Sequence, residues 1–254
     1  MQPTAYPDVN ALLDRLLAQM QTVLGQKLVG LYLSGSLVTG DFDEGISDVD
    51  LLAAVGGDLD EAEFNALKTM HDGVVTNDPQ WDNRIEIAYL SLHGLRTFKT
   101  QTSKIGIISP GEPFHIITAD RLWLPNWYMV REKGVTLFGP APQSIIEPIS
   151  KEEFIQVIKE HVRGWREWVK DMYYRGSQAY AILTLCRALY TVRNGEQVSK
   201  RKAALWAQNE LPAWSALIEK ALLWRQTSKE DADHATTIPE TQRFVNFVID
   251  LILS

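Results

Sequence analysis

The stretch LVGLYLSGSLVTGDFDEGISDVDLLAAV, residues 28–55, decides how this chain is read. LVGLYL (28–33) is a short apolar run stopped by Ser34-Gly35-Ser36, the pattern of a buried strand that ends in a turn. SDVDLLAAV (47–55) is a second strand, closed by Gly56-Gly57, and residues 36–41 between the two suit a short helix. Gly35 has no Cβ, so the backbone there can approach an anion closely. Backbone N–H groups at a helix start, with the Ser36 hydroxyl, can hold phosphate oxygens. Asp48 and Asp50 are two apart, which on a strand turns both carboxylates to one face. Val49, Leu51 and Ala53 then fall on the other face and anchor the strand. Two adjacent carboxylates repel unless something positive sits between them. Hard divalent cations such as Mg²⁺ take such oxygens together with substrate phosphates.

Further along, RIEIAYLSL (84–92) alternates as a third strand, with the isoleucines on one side and Arg84 and Glu86 on the other. If it lies beside the 47–55 strand, Glu86 joins the two aspartates. There it can ligate a metal or accept a proton from an attacking hydroxyl. Such a group would orient a nucleophile and offset charge in an in-line phosphoryl displacement. A lone D-x-D is common on surface strands, and Gly-Ser after a strand is a common turn. The ordered set G-S-x10-S-D-x-D, followed by a third acidic strand, lifts the site above those structural readings.

Around this centre, apolar residues at Val9, Leu12, Leu13, Leu16, Leu17, Met20, Val23 and Leu24 predict an amphipathic helix over 9–24. Asp60 and Glu63 form a capping box for a helix to about His71. IGII (105–108) and FHIIT (114–118) read as strands around Ser109-Pro110-Gly111, 121–132 as a helix, and VTLFG (135–139) as a last strand. GPAPQSIIEP (139–148) has the composition of a linker. After it every strong pattern is helical. Ser150 and Glu153 cap a helix carrying Val157, Ile158, Val162, Trp165, Trp168, Val169 and Met172. AYAILTLCRALYTV forms another that stops at Asn194-Gly195, and further helices fit 200–209, 213–225 and 240–253. The expected fold is α+β: an α/β domain with a mixed sheet over 1–145 and an all-α helical bundle over 146–254.

The chain has 254 residues, 45% hydrophobic and 22% charged, the balance of an ordinary globular protein. Its start lacks the basic segment and unbroken apolar core of a signal peptide, and no run is long enough to span a bilayer. A cytoplasmic location, without membrane association, is expected. The net charge of −7 argues against nucleic acid as a partner and suits either general solubility or a cationic small molecule. Cys186, the single cysteine, excludes an internal disulfide and reads as inert packing. His71, His93, His115, His161 and His234 show no metal-ligand spacing. Trp123, Trp127, Trp165 and Trp168 read first as core.

Gly35, Ser36, Asp48, Asp50 and Glu86 together resemble the nucleotidyltransferase superfamily of the DNA polymerase β type. REKGVTLFGP (131–140) and AILTLCRALYTVRNGEQVSKRKAALWAQNELP (181–212) are similar to segments of the aminoglycoside 3''/9 adenylyltransferases. That resemblance implies AMP transfer from ATP to a hydroxyl of streptomycin or spectinomycin, with two Mg²⁺ ions and antibiotic resistance as the consequence. It makes Asp48, Asp50 and Glu86 metal ligands and Glu86 also the general base. It sets Gly35, Ser36 and Ser47 at the nucleotide. Lys200 matches a lysine on the phosphates, although it also reads as a solvated charge in Lys200-Arg201-Lys202. Trp224 lies near an adenine-stacking aromatic, although it also reads as a core residue. Two stretches depart from the family. Residues 91–114 replace a P-W-x-Y-P and F-G-E-W-like region, and Gly176-Ser177-Gln178-Ala179-Tyr180 stands where the family has an acidic G-D-E-R-N segment. A nucleotidyltransferase with a non-antibiotic acceptor and a non-catalytic, antitoxin-like binding protein of the same fold are the alternatives. A monomer and a dimer are equally compatible with the sequence.

Overall fold

The computed structural model describes residues 2–227 and 236–254; His234 lies outside the described residues. The chain divides into two compact units, Met1–Ile149 and Ser150–Ser254.

The first unit is built on a six-stranded mixed sheet. Its elements in chain order are α1 (Pro7–Leu24), β1 (Leu28–Leu33), α2 (Gly35–Thr39), β2 (Val49–Val55), α3 (Glu61–Asn77) and β3 (Ile85–Ser91). They are followed by α4 (Leu92–Thr97), β4 (Ser103–Ser109), β5 (Glu112–Ala119), α5 (Leu124–Lys133), β6 (Val135–Phe138) and α6 (Pro142–Ile145). The strand order is β5-β4-β3-β2-β1-β6. β2 and β3 run parallel, joined by the α3 crossover, and the other neighbouring strands are antiparallel. Parallel neighbours need such a crossover, because a tight turn only returns the chain antiparallel. α3 starts where Asp60 and Glu63 each satisfy the other's backbone N–H, at 2.9 and 2.8 Å. It runs to Asn77, beyond the end expected near His71, because Val74 continues the buried stripe of Leu67 and Met70.

Alternation along β2 and β3 sets the two faces of the sheet. Val49, Leu51, Ala53 and Val55 of β2, with Ile85, Ile87 and Tyr89 of β3, share a core with Leu12, Leu16 and Met20 of α1 and Leu67 of α3. The opposite face is also covered over most of its length, since Leu52, Ala54, Ala88 and Leu90 are buried and α4 packs on both strands. Only the first residues on that face, Asp50 and Glu86, are half-exposed. The acids therefore sit at the open end of an otherwise greasy surface.

The second unit is helical: α7 (Lys151–His161), α8 (Trp165–Trp168), α9 (Arg175–Asn194), α10 (Lys200–Glu210), α11 (Ser215–Thr227) and α12 (Ile238–Leu253). α9 is the central helix. Ala179, Ala181, Ile182, Leu183, Leu185, Cys186 and Leu189 are buried around its circumference, as a helix enclosed by others requires. It ends at Gly195, whose φ of 69° gives the left-handed cap. α12 buries Phe244, Val245, Val248, Ile249 and Ile252 along one stripe. The apolar pattern from Val157 to Met172 reads as one helix, but the chain forms α7 and α8, each followed by a turn of 3-10 helix. Among the described residues, no helix is long and apolar enough to cross a membrane.

Candidate active site

β1 and β2 bring the two halves of the first motif together. Ser34 N–H donates to the Asp50 carbonyl at 2.9 Å, so the turn after β1 lies against the acidic start of β2. Gly35 follows with φ 68°. A side chain at this position would overlap Asp50 Oδ2, with its Cβ 2.5 Å from Asp50 Cγ. Glycine is thus required twice, by a left-handed backbone and by the space that the Asp50 carboxylate fills. Next to it, Ser36 Oγ is buried and has no hydrogen-bond partner among the described residues. A buried hydroxyl left unpaired is costly, and this one has the capacity to donate to an oxygen acceptor.

The parallel register pairs Asp50 with Glu86 directly, and Val49 with Ile85. Asp48 lies one residue ahead of β2. Asp48, Asp50 and Glu86 are all half-exposed, and each offers a carboxylate oxygen within 4.8 Å of the others. The three acids read from the sequence are therefore brought together. Oxygen-only donors, closely spaced and at the surface, are the set that a hard divalent cation uses. The unpaired Ser36 hydroxyl fits the phosphate oxygens that accompany such a cation.

Ser47, which the resemblance sets at the nucleotide, lies just ahead of Asp48. It is buried, and its Oγ accepts from Asp43 N–H at 3.0 Å while its own N–H donates to Asp43 O at 2.9 Å. It closes the loop that delivers Asp48.

Arg84 is a residue whose importance the sequence reading missed. Expected to share the face of Glu86, it is only 9% exposed. Its Nε and Nη2 both donate to the Ser47 carbonyl, at 3.1 and 2.9 Å, and its guanidinium lies 4.9 Å from the centre of the Trp81 ring. Burial holds its pKa below the ordinary value, and the nearby Asp48 charge acts in the opposite direction. The R-x-E spacing ahead of a strand was the available signal, but a charged residue at a strand start reads as solvated unless its partner is known.

In the second unit, Lys200 is the first residue of α10, and its Nζ lies 4.0 Å above the Tyr180 ring. Trp224 belongs to the helical core and is 8% exposed, with Arg175 over its ring. Gln178 is fully buried, and its Oε1 accepts from the Thr237 and Thr241 hydroxyls at 2.8 and 3.0 Å.

Residues 144–250 match the family described as the aminoglycoside adenylyltransferase C-terminal domain. An aminoglycoside (3'') (9) adenylyltransferase of Escherichia coli is 25% identical over 268 residues, covering 98% of this chain and 96% of the relative. A spectinomycin 9-adenylyltransferase of Staphylococcus aureus (strain Mu50 / ATCC 700699) is 28% identical over 207 residues, covering 76% of this chain and 75% of the relative. Over most of its length the chain is similar to aminoglycoside adenylyltransferases, and its C-terminal part matches their family model. Its fold matches a spectinomycin adenyltransferase from Enterococcus faecialis, solved with ATP and spectinomycin. That likeness has a TM-score of 0.75 at 17% identity and covers 95% of this chain and 98% of the other. In this adenylyltransferase-like chain the mixed sheet and the helical unit reproduce the α+β architecture expected from the sequence.

Proposed function

We propose that the chain transfers the adenylyl group of ATP to a hydroxyl of an aminocyclitol or aminoglycoside acceptor, with divalent cations of the Mg²⁺ class held by Asp48, Asp50 and Glu86. The observation that carries this reading is the convergence of those three carboxylates beside an unpaired Ser36 hydroxyl. A divalent cation bound there supplies positive charge against the triphosphate oxygens and the departing pyrophosphate. Glu86 accepts the proton of the acceptor hydroxyl as that oxygen attacks the α-phosphorus. The new O–P bond forms as the bond to the β-phosphate oxygen breaks, and pyrophosphate leaves. Ser36 donates its hydroxyl hydrogen to a phosphate oxygen. Gly35 leaves the Asp50 carboxylate the space it needs beside the turn. Lys200 takes the role of a charge-assisted phosphate contact.

The test is pyrophosphate release from ATP and Mg²⁺ with streptomycin or spectinomycin, read together with the gain of one AMP in the mass of the acceptor. Asp50→Asn and Glu86→Gln are expected to abolish both signals. Full release by either variant would refute the assigned roles, and no acceptor-dependent release by the unaltered chain would remove the antibiotic as substrate.

A second reading keeps the chemistry and changes the acceptor. Residues 176–180 carry no acid, Gln178 is turned into the core, and Tyr180 is exposed. A cationic acceptor finds no carboxylate on that stretch. This reading predicts metal-dependent ATP binding with neither drug turned over.

A further inference from the structure

We propose that Arg84 is a positioning residue for Asp48: its guanidinium grips the Ser47 carbonyl and thereby fixes the direction in which the Asp48 carboxylate leaves the backbone. This rests on the reading of Asp48, Asp50 and Glu86 as a cation site. Asp50 and Glu86 sit on paired strands, where the ladder holds their backbone. Asp48 precedes β2 and lacks that support. Instead, both peptide groups that flank it are tied to Arg84. The Ser47 carbonyl accepts from Nε and Nη2 at 3.1 and 2.9 Å, and Val49 N–H donates to the Arg84 carbonyl at 2.9 Å. The guanidinium is itself fixed by the buried Trp81 ring at 4.9 Å and by a longer bond from Nη1 to the Gln80 carbonyl at 3.4 Å.

Packing alone does not call for such an arrangement. A buried cation is expensive unless its donors are used, and an apolar side chain would cover Trp81 without that cost. Two donors of a planar fork converging on one carbonyl give a directional restraint that a lysine ammonium cannot reproduce.

The experiment measures Mn²⁺ affinity by electron paramagnetic resonance on the ATP-free protein, with far-UV circular dichroism confirming the fold. Arg84→Lys keeps the charge and loses the fork, and it is expected to weaken Mn²⁺ binding about tenfold, the size of a lost directional restraint on one ligand. Arg84→Met removes the charge. Electrostatics alone would then tighten cation binding, so weakened binding in this variant identifies the lost restraint as the cause. In an Asp48→Asn background, Arg84→Lys is expected to add nothing, because the two residues act as a unit. Wild-type affinity in Arg84→Lys, tighter binding in Arg84→Met, or an additive loss in the double variant would each overturn the proposal. If the unaltered chain binds no Mn²⁺, the cation-site reading itself fails, and this inference fails with it. Should Arg84→Met not fold, the lysine variant and its double-mutant comparison decide alone.

Discussion

Replacing Gly35 with alanine probes the point where backbone geometry meets chemistry, and Gly40 supplies its control. Both glycines bracket α2 and both have positive φ, 68° at Gly35 and 74° at Gly40. An L-residue in that region costs about 1–2 kcal/mol, so the two substitutions are expected to lower stability by similar amounts. They differ in what the new methyl meets. At Gly40 nothing among the described residues lies within 4 Å of it. At Gly35 it overlaps Asp50 Oδ2 and comes within 2.5 Å of Cγ and 3.0 Å of Cβ. Ordinary carbon contacts lie at about 3.5–4.0 Å, so the carboxylate must withdraw by on the order of 1 Å. A displacement of that size at a reacting centre can lower a rate about 10²-fold. Urea unfolding should therefore give comparable losses for Gly35→Ala and Gly40→Ala. Pyrophosphate release under saturating ATP should fall about 10²-fold in the first and stay near the unaltered rate in the second. Equal rates in the two variants would refute the claim that Gly35 exists to make room for Asp50.

His71 is 1% exposed, bonded through Nε2 to the Tyr89 hydroxyl at 2.9 Å, and burial pushes its pKa down to about 4. Its unfolded value is higher, so the unfolded chain binds the extra proton between the two. Stability of the first unit should fall by about 3 kcal/mol as pH drops from 6.5 to 4, and His71→Gln should flatten that dependence in pH-resolved denaturation. Gln178→Leu leaves the Thr237 and Thr241 hydroxyls without their shared acceptor, and urea melts should show a loss of about 1–3 kcal/mol. Lys200→Met should raise the KM for ATP about tenfold, the scale of one charge-assisted hydrogen bond, with little change in melting; an unchanged KM would reduce Lys200 to its contact with Tyr180.

How far the sequence could be read depended on whether the deciding interactions were local. β1, β2 and β3, the capping boxes at Asp60 and Ser150 and the glycine stop at Gly195 rest on patterns of a few residues, and these were legible. α4 was not. It begins at Leu92, where the strand reading still ran, and its start signal is one Ser91 side chain accepting from Gly94 N–H. The break between α7 and α8 was equally hidden, since 3-10 turns preserve a nearly helical apolar spacing. Within the site, the pairing of Asp50 with Glu86 followed from placing two acidic strands side by side. Arg84 could not be found that way, because the carbonyl it grips belongs to Ser47, far away in sequence. Trp224 matches an adenine-stacking position by sequence and packs in the helical core, a burial that its helical spacing also predicts.

The in-register pairing of Asp50 with Glu86 also dictates where this chain can tolerate a change in length. Residues added to the Gly56-Gly57 connection leave both strands in phase, since loop closure responds only weakly to a few extra links. A single residue inserted between Ile85 and Glu86 has a different result. It turns the glutamate toward Leu12 and Leu67 and brings an isoleucine to the cation-facing side, because every step along a strand reverses the side. Insertions and deletions among homologous chains should therefore collect in the connections and avoid the opening residues of these two strands.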